Sequence, residues 1–260
     1  MRAMREALLS SLFVLSIPLT GCSKSEDPAA VHRALGNDYA RKDDWAAAAN
    51  EYGLSAQANP RDPKVWQLKA NAHLRLGQLR EAGEALEKPA EYTSDPAAKA
   101  EAYRLAASMY VERGQFVDAE KAFNEVLKYA PRDELALSWL AEIASARGGA
   151  RSMTEPADPM WLKQAIAYYD QAIQVNPENL FAYVNKRVAI SKYLIFEQKE
   201  KAQAERLILL ARKDPSKVAA ARTQLTESSA RIEGFEKEIE ELSKKVKELQ
   251  AAQKAKKPAS

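Results

Sequence analysis

The chain has 260 residues, a formal net charge of +3, a single cysteine and only two histidines. Near-neutral charge gives no broad basic field for nucleic acid, and one cysteine excludes an internal disulfide. Glycine is scarce while Ala, Leu, Glu and Lys abound, a composition of all-helical chains, and no stretch alternates apolar and polar residues as a strand does.

The N-terminus opens with the basic residues Arg2 and Arg5, followed by an apolar run from Ala7 to Leu19. That run is too short for a stable bilayer span and has the form of an export signal. It ends in Leu19-Thr20-Gly21-Cys22, an apolar residue and small residues before a cysteine. This resembles a bacterial lipobox. The resemblance implies cleavage before Cys22, acylation of its thiol and of the new amine, and anchoring to a membrane by lipid. Ser23 rather than Asp follows the cysteine, which by analogy with enteric sorting favours the periplasmic face of the outer membrane. Residues 1–21 are then a signal peptide and 22–28 a linker. Loss of Arg2, Arg5 and Glu6 takes the net charge from +3 to +2.

A repeated skeleton follows. Tyr39, His73 and Tyr110 occupy matched places, as do Ala48, Ala82, Ala119 and Ala165, and the prolines Pro60, Pro131 and Pro177. Ala48 and Ala82 lie 34 residues apart, the period of a helix-turn-helix repeat. In the first copy a helix runs from about Ala29 to Arg41, Asp43-Asp44 form a turn, and Ala48, Tyr52 and Ser55 recur at helical spacing before Asn59-Pro60. Small Gly36 and Ala48 allow two helices to approach, Tyr39 and Tyr52 fill between them, and Pro60 stops the second helix. This resembles the tetratricopeptide repeat, with its aromatic, Leu-Gly and Tyr on helix A, and Ala, aromatic, Ala and Pro on helix B.

Later copies carry Trp66, Ala70, Gly77 and Leu86, then Tyr103, Ala107, Gly114 and Phe123, then Leu137, Leu140, Ala141, Tyr169 and Ala172. Pro89 shortens helix B of copy two, and a loop over 148–160 is inserted in copy four. A fifth helix pair is expected from Leu180 to about Lys213, with an atypical sequence as in a capping repeat. The expected fold is all-α: a tetratricopeptide-repeat solenoid over 29–213, of about four to five helix pairs, followed by a long C-terminal coiled-coil helix over 214–260. Ser216 is read as the N-cap of that last helix. Its seam runs Val218, Ala221, Leu225, Ser228, Ile232, Phe235, Ile239, Leu242, Val246 and Leu249, in alternating steps of three and four. Ala221 and Ser228 are its weakest positions. Such a seam must be buried by a homodimer, by the repeat stack or by a heptad-bearing partner. Lys254, Lys256 and Lys257 form a basic tail.

In the family geometry helix A lines the binding groove. The resemblance therefore points to Arg33, Asn37 and Arg41, to Lys64, Gln67, Asn71 and Arg75, and to Arg104 and Ser108 as peptide-contacting residues. Arginine and amide side chains suit an acidic peptide or a chain-end carboxylate. Arg33 and Asn37 resemble the start of the chaperone-binding carboxylate clamp, but Leu68, Glu101 and Leu105 stand where an amide and two basic residues would complete it. Phe181, Val184, Val188 and Tyr193 form an apolar groove end. His32 and His73 replace repeat aromatics and are read as packing residues. No metal-ligand spacing, phosphate loop or nucleophile elbow is present, so neither metal, cofactor nor enzymatic activity is expected. The whole resembles, in plan, the pilotins of type IV pilus secretins and the repeat lipoprotein of the β-barrel assembly complex. It implies a lipid-anchored scaffold binding protein partners in a cell-envelope machine. The alternative is a stand-alone periplasmic binder of peptides or client proteins.

Overall fold

The computed structural model describes residues 27–150, 152, 156–211 and 213–256. The expected signal peptide over 1–21 and the expected lipidation site Cys22 lie outside these residues. Among the described residues ten α-helices follow one another: α1 Pro28–Arg41, α2 Trp45–Ala58, α3 Pro63–Arg75, α4 Leu79–Glu87, α5 Pro96–Glu112, α6 Phe116–Tyr129, α7 Glu134–Arg147, α8 Pro159–Val175, α9 Leu180–Leu210 and α10 Pro215–Lys256, with a 3₁₀ turn at Lys88–Tyr92. Each helix packs on the next, and the described residues contain no strand.

An Asp-Pro pair opens five of these helices: Asp27-Pro28, Asp62-Pro63, Asp95-Pro96, Asp158-Pro159 and Asp214-Pro215. The proline has no N–H to waste at a first helical position, and the aspartate accepts one of the unpaired first-turn amides. Asp62 accepts from the Lys64 amide at 3.0 Å and Asp95 from the Ala97 amide at 3.0 Å. Asp214 accepts from the Lys217 amide at 3.2 Å and from the Ser216 hydroxyl at 2.7 Å. The cap of α10 is therefore Asp214, not Ser216, because its carboxylate reaches two donors at once.

The turn between the two helices of a pair needs one residue with positive φ. Gly77 (74°), Gly114 (72°) and Gly149 (70°) supply it in three copies. Asp43 takes the same place in the first copy with φ of 58°, where a side chain is strained.

Close approach of the helices rests on small residues. Ala48, Ala82, Ala119 and Ala165 are all fully buried, and so are Ala70, Ala107 and Ala141 on the facing helices. Larger residues fill between them, with Tyr52, Phe123, Leu137, Leu162 and Tyr169 almost wholly enclosed. Two contiguous clusters result, one through α2 to α7 and one through α7, α8 and α9, sharing Leu127 and Tyr168 at their border.

The chain departs from expectation at its C-terminal end. Residues 180–213 hold no helix pair: α9 is one continuous helix of 31 residues. Its antiparallel partner is α10, of 42 residues. Phe235 packs on Tyr193 with ring centroids 4.8 Å apart. Gln224 donates to Glu200 at 2.8 Å, Arg231 pairs with Glu197 at 2.9 Å and Arg187 donates to Ser243 at 3.3 Å. The fifth pair is thus α9 with the long C-terminal helix α10, and of the three ways open to bury the seam the structure shows packing within the chain. Ala221 and Ser228 are the most enclosed seam positions, 1% and 0% exposed, because small side chains let the two helices close together.

Two substitutions test this packing. A Cβ on Gly36 would lie 2.6 Å from the Tyr52 ring, which is buried and held by its hydroxyl on Asn37. Gly36→Ala is expected to lower stability by about 1–3 kcal/mol through overpacking. Asp43→Gly is expected to raise it by about 0.5–1 kcal/mol by relieving the left-handed backbone. Denaturant unfolding monitored by circular dichroism reads both signs.

Candidate functional site

Helix A residues expected to meet a ligand fall into two groups. In the first, the polar group is engaged within the chain. The Arg33 guanidinium donates to Asp62 at 3.1 Å, and the Arg104 guanidinium donates to Asp133 at 2.7 Å and also to Glu101. Arg33 and Arg104 occupy the same place, six residues before Tyr39 and Tyr110. Each grips the capping aspartate that opens the next A helix. The other oxygen of that aspartate accepts a first-turn amide, Lys64 in one case and Ala136 in the other. One carboxylate thereby starts a helix and ties it to its neighbour. Glu134 makes a related tie further along, accepting from Asn176 at 3.0 Å and from Asn179, the cap of α9, at 2.8 Å.

Asn37 accepts the Tyr52 hydroxyl at 2.9 Å, Arg41 pairs with Asp38 one turn earlier, and the Arg75 guanidinium lies 5.2 Å from the centre of the Trp45 ring. Arg33 and Arg104, expected as ligand contacts, are thus already engaged by acids of the chain itself. Asp62 and Asp133, which hold these two arginines, each lie at a helix start where the carboxylate also serves as the cap. The histidines are likewise engaged: His32 Nδ1 meets Glu51 at 2.7 Å and His73 Nδ1 meets Gln78 at 2.7 Å.

The second group is Lys64, Gln67 and Asn71. They follow one face of α3 at helical spacing and are exposed. Gln67 stands six residues before His73, where copies one and three carry the arginine. Beside it opens a cleft of about 230 Å³ between α3, the 3₁₀ turn and α5. Its walls include Trp66, Gln67, Pro89, Tyr92, Ala98, Glu101 and Leu105. Trp66 is held by its indole N–H on the Pro60 carbonyl at 2.9 Å and by a stacked Tyr92 at 6.2 Å. Such a cleft, apolar at its base with amide and charged groups at its rim, suits one apolar side chain of an extended peptide. Sequence reading reached Gln67 but missed the cleft. Its signal was Pro89: the α-helix stops at Glu87, and the following 3₁₀ turn carries Tyr92 back over Trp66.

The seam of α10 is turned inward. Leu242, Val246 and Leu249 are buried, and Leu225, Ile232, Phe235 and Ile239 are half-buried along α9. Of the expected apolar groove end, Tyr193 is covered by Phe235, Val184 and Val188 are half-buried, and Phe181 stays 48% exposed. Lys186 fastens three helices. Its ammonium meets Asp170 of α8 at 2.5 Å and Glu238 of α10 at 2.6 Å, while only 8% of the residue is exposed. Burial disfavours this charge, but the hydrogen bonds and charges of Asp170 and Glu238 outweigh it and raise the pKa. Among the described residues no group of three or more His, Cys, Asp or Glu is placed to hold a metal ion.

Comparison with known proteins agrees with this architecture. Residues 63–93 match the family model described as tetratricopeptide repeat. A solved structure of a TPR repeats protein from Bacteroides fragilis superposes with a TM-score of 0.57, at 16% identity, covering 87% of this chain and 98% of that one. A MamA crystal structure gives 0.44 at 15% identity, covering 84% and 95%. U-box domain-containing protein 70 from Oryza sativa subsp. japonica is 30% identical over 122 residues, which is 45% of this chain. The match spans about 15% of the length of that relative.

Removing the central ammonium tests the three-helix tie. Lys186→Ala is expected to cost about 1–2 kcal/mol, a value kept low because both carboxylates are partly solvated. It should speed amide exchange in the 238–249 stretch of α10. The raised pKa sets the pH sign. The stabilisation is fully present below the ordinary lysine value of about 10.4, and it disappears as pH rises through the higher folded value. The unfolding free energy of the wild type, read from denaturant titrations at each pH, should therefore fall at strongly alkaline pH by a step that Lys186→Ala lacks.

Proposed function

We propose that this tetratricopeptide-repeat chain is an adaptor, held at a bacterial membrane by acylation of Cys22, that gathers protein partners in a cell-envelope assembly. The observation that carries the binding role is the pairing of the exposed Lys64, Gln67 and Asn71 face with the apolar cleft beside Trp66. The other helix A cations named above are engaged by the chain itself, so the ligand contact is concentrated on α3 and α5. The partner is a protein segment in extended form. One apolar side chain enters the cleft, and the Gln67 and Asn71 amides bond to its backbone. The work is recruitment rather than chemistry. In sequence plan the N-terminal motif favours the periplasmic face of the outer membrane.

A second reading uses the same cleft for a stand-alone binder of peptides or client proteins. Deleting α10 does not separate the two readings, because the deletion would strip the cover from α9. Point variants do. Leu105→Glu places a charge on the wall of the cleft, where Leu105 is half-buried. It is expected to reduce partner capture at least about tenfold, in line with loss of a central apolar contact. Cross-linked purification from membranes, with helicity confirmed by circular dichroism, reads the effect. A defined set of envelope proteins that wild type captures and Leu105→Glu loses supports the adaptor. Capture of diverse unfolded chains supports the client binder, and equal capture by both forms removes the cleft from either role. Cys22→Ser is expected to shift the protein from the membrane fraction to the soluble one, and unchanged membrane retention would refute anchoring at that cysteine.

A further inference from the structure

The B-helix side of the first copy differs from that of its neighbours. Counted from the buried alanines Ala82 and Ala119, the same four places hold Arg80, Glu84, Glu87 and Glu91 in copy two and Val117, Lys121, Asn124 and Lys128 in copy three. Counted from Ala48, they hold Ala46, Asn50, Gly53 and Gln57, which are small or amide residues without charge. Between this face of α2 and helix α4, over α3, runs a groove of about 790 Å³. The chain's own packing does not demand Gly53. A Cβ there would meet nothing closer than the Lys69 ammonium at 3.8 Å, whereas Gly36 and Gly83 are kept bare by Tyr52 and Tyr110. A glycine inside a helix destabilises it relative to alanine, and what it provides here is room beside α2.

The two walls differ in chemistry. Ala46, Ala49 and Gly53 follow one another in steps of three and four along α2, a small-residue stripe that lets the backbone of another helix come close. The opposite wall carries Glu81, Glu84, Glu87 and Glu91, against Lys69 and Lys88 in the same groove. Glu81 and Glu84 share Arg80, at 3.6 and 3.9 Å, and Glu91 pairs with Lys88 at 2.6 Å. Glu87 is half-buried. Burial and the charges of Glu84, Asp118 and Glu125 push its carboxyl up from the ordinary value, against Lys121 alone. This wall repels anionic lipid and nucleic acid and attracts a cationic helix.

The chain itself presents such a helix. Arg187 of α9 donates to Ser243 of α10, so α9, which begins seven residues earlier at Leu180, starts level with about position 250. Burial stops at the same place: Leu249 is buried, and residues 250–255 are all exposed. The helix nevertheless continues to Lys256, in alanine, glutamine and lysine, which are strong helix formers. Ala251, Ala252 and Ala255 fall within an arc of about 100°. After Glu248 the sequence contains Lys254, Lys256 and Lys257 and no acid. Val246 and Leu249 are buried and hold this end on the last hairpin, away from the groove beside the first two copies.

We propose that the free end of α10, residues 250–257, lies in the α2–α4 groove of a second copy of the chain, with its alanines on the α2 stripe and its lysines toward Glu84, Glu87 and Glu91. Groove and helix end are different surfaces, so the contact is head-to-tail. Each copy offers one of each, and association builds rings or rows rather than stopping at a twofold dimer. A contact of this size is weak and is expected only in concentrated protein.

The test is sedimentation equilibrium of the full chain carrying Cys22→Ser, at low salt and up to about 1 mM protein. The average mass should rise with concentration and fall on adding salt. Glu84→Lys with Glu87→Lys, Lys254→Glu with Lys256→Glu, and Gly53→Leu, which fills the groove, should each weaken association about tenfold or more. Both charge reversals in one chain should restore it. Gly53→Leu mixed with the Lys254→Glu, Lys256→Glu chain leaves one good groove and one good helix end, and should give pairs and nothing larger. Circular dichroism and thermal unfolding are measured alongside, and Gly53→Leu should unfold no earlier than wild type. A chain that stays monomeric throughout overturns the proposal. So does association that the groove and helix-end variants leave intact, which would place the contact elsewhere. A monomeric chain whose groove binds a basic helix of another protein, with the binding lost in Gly53→Leu, would give the groove to that partner and also overturn it.

Discussion

A hairpin in a helical stack exposes an apolar face that must be covered, either by another repeat or by the chain folding back on itself. Much in this chain follows from how that face is closed. Burial of apolar surface is the main favourable contribution to folding, and no disulfide is available to compensate for leaving it open. The chain closes the stack by making its last hairpin long. α9 packs on α8 through Ala182, Ala189 and Tyr193, and α10 then covers the opposite side of α9. Lys186 sits at the junction of all three helices and ties them by two short ionic contacts. A heptad seam is thereby consumed inside one molecule, and the surface left for other partners is what the seam does not use.

The repeats were legible because their physics is local. Buried alanines and aromatic positions recurring in step, and prolines after helix B, each state a helix pair without reference to the rest of the chain. The Asp-Pro pairs were equally legible and went unread. They mark helix starts as clearly as Pro60 and Pro131 mark stops, and Asp214 would have displaced Ser216 as the cap of α10. The heptad seam was legible as a seam but not as to its occupant, since Ile232 or Leu242 would look the same facing a second chain or facing α9. The one clue lay in Ala221 and Ser228. Read as weak seam positions, they are points of closest approach, where a small residue admits a neighbouring helix.

The groove shows why a family pattern of charge does not locate a ligand. Arg33 and Arg104 have the residue type and place expected of ligand contacts, yet each holds the aspartate that opens the next A helix. The repeat uses its most conspicuous cation to join one copy to the next. Where that arginine is absent, at Gln67, and where Pro89 shortens helix B, the inter-repeat contact opens into a cleft. The irregular copy is therefore one place with room for something else. That link between a broken repeat rule and an open surface could be inferred only once the Arg33–Asp62 and Arg104–Asp133 contacts were seen to be equivalent.

The account stands on α10 covering α9 of the same molecule. Replacing Glu200 and Gln224 with cysteine in a Cys22→Ser background places the only two thiols at positions that are hydrogen-bonded across the hairpin. A short bis-maleimide added to the dilute native protein then reports which chain supplies α10. The account predicts a cross-link within one chain, seen as a shifted monomer on a denaturing gel, at every protein concentration. A covalent dimer that dominates even at high dilution would show that α10 pairs with a second chain, and would contradict it.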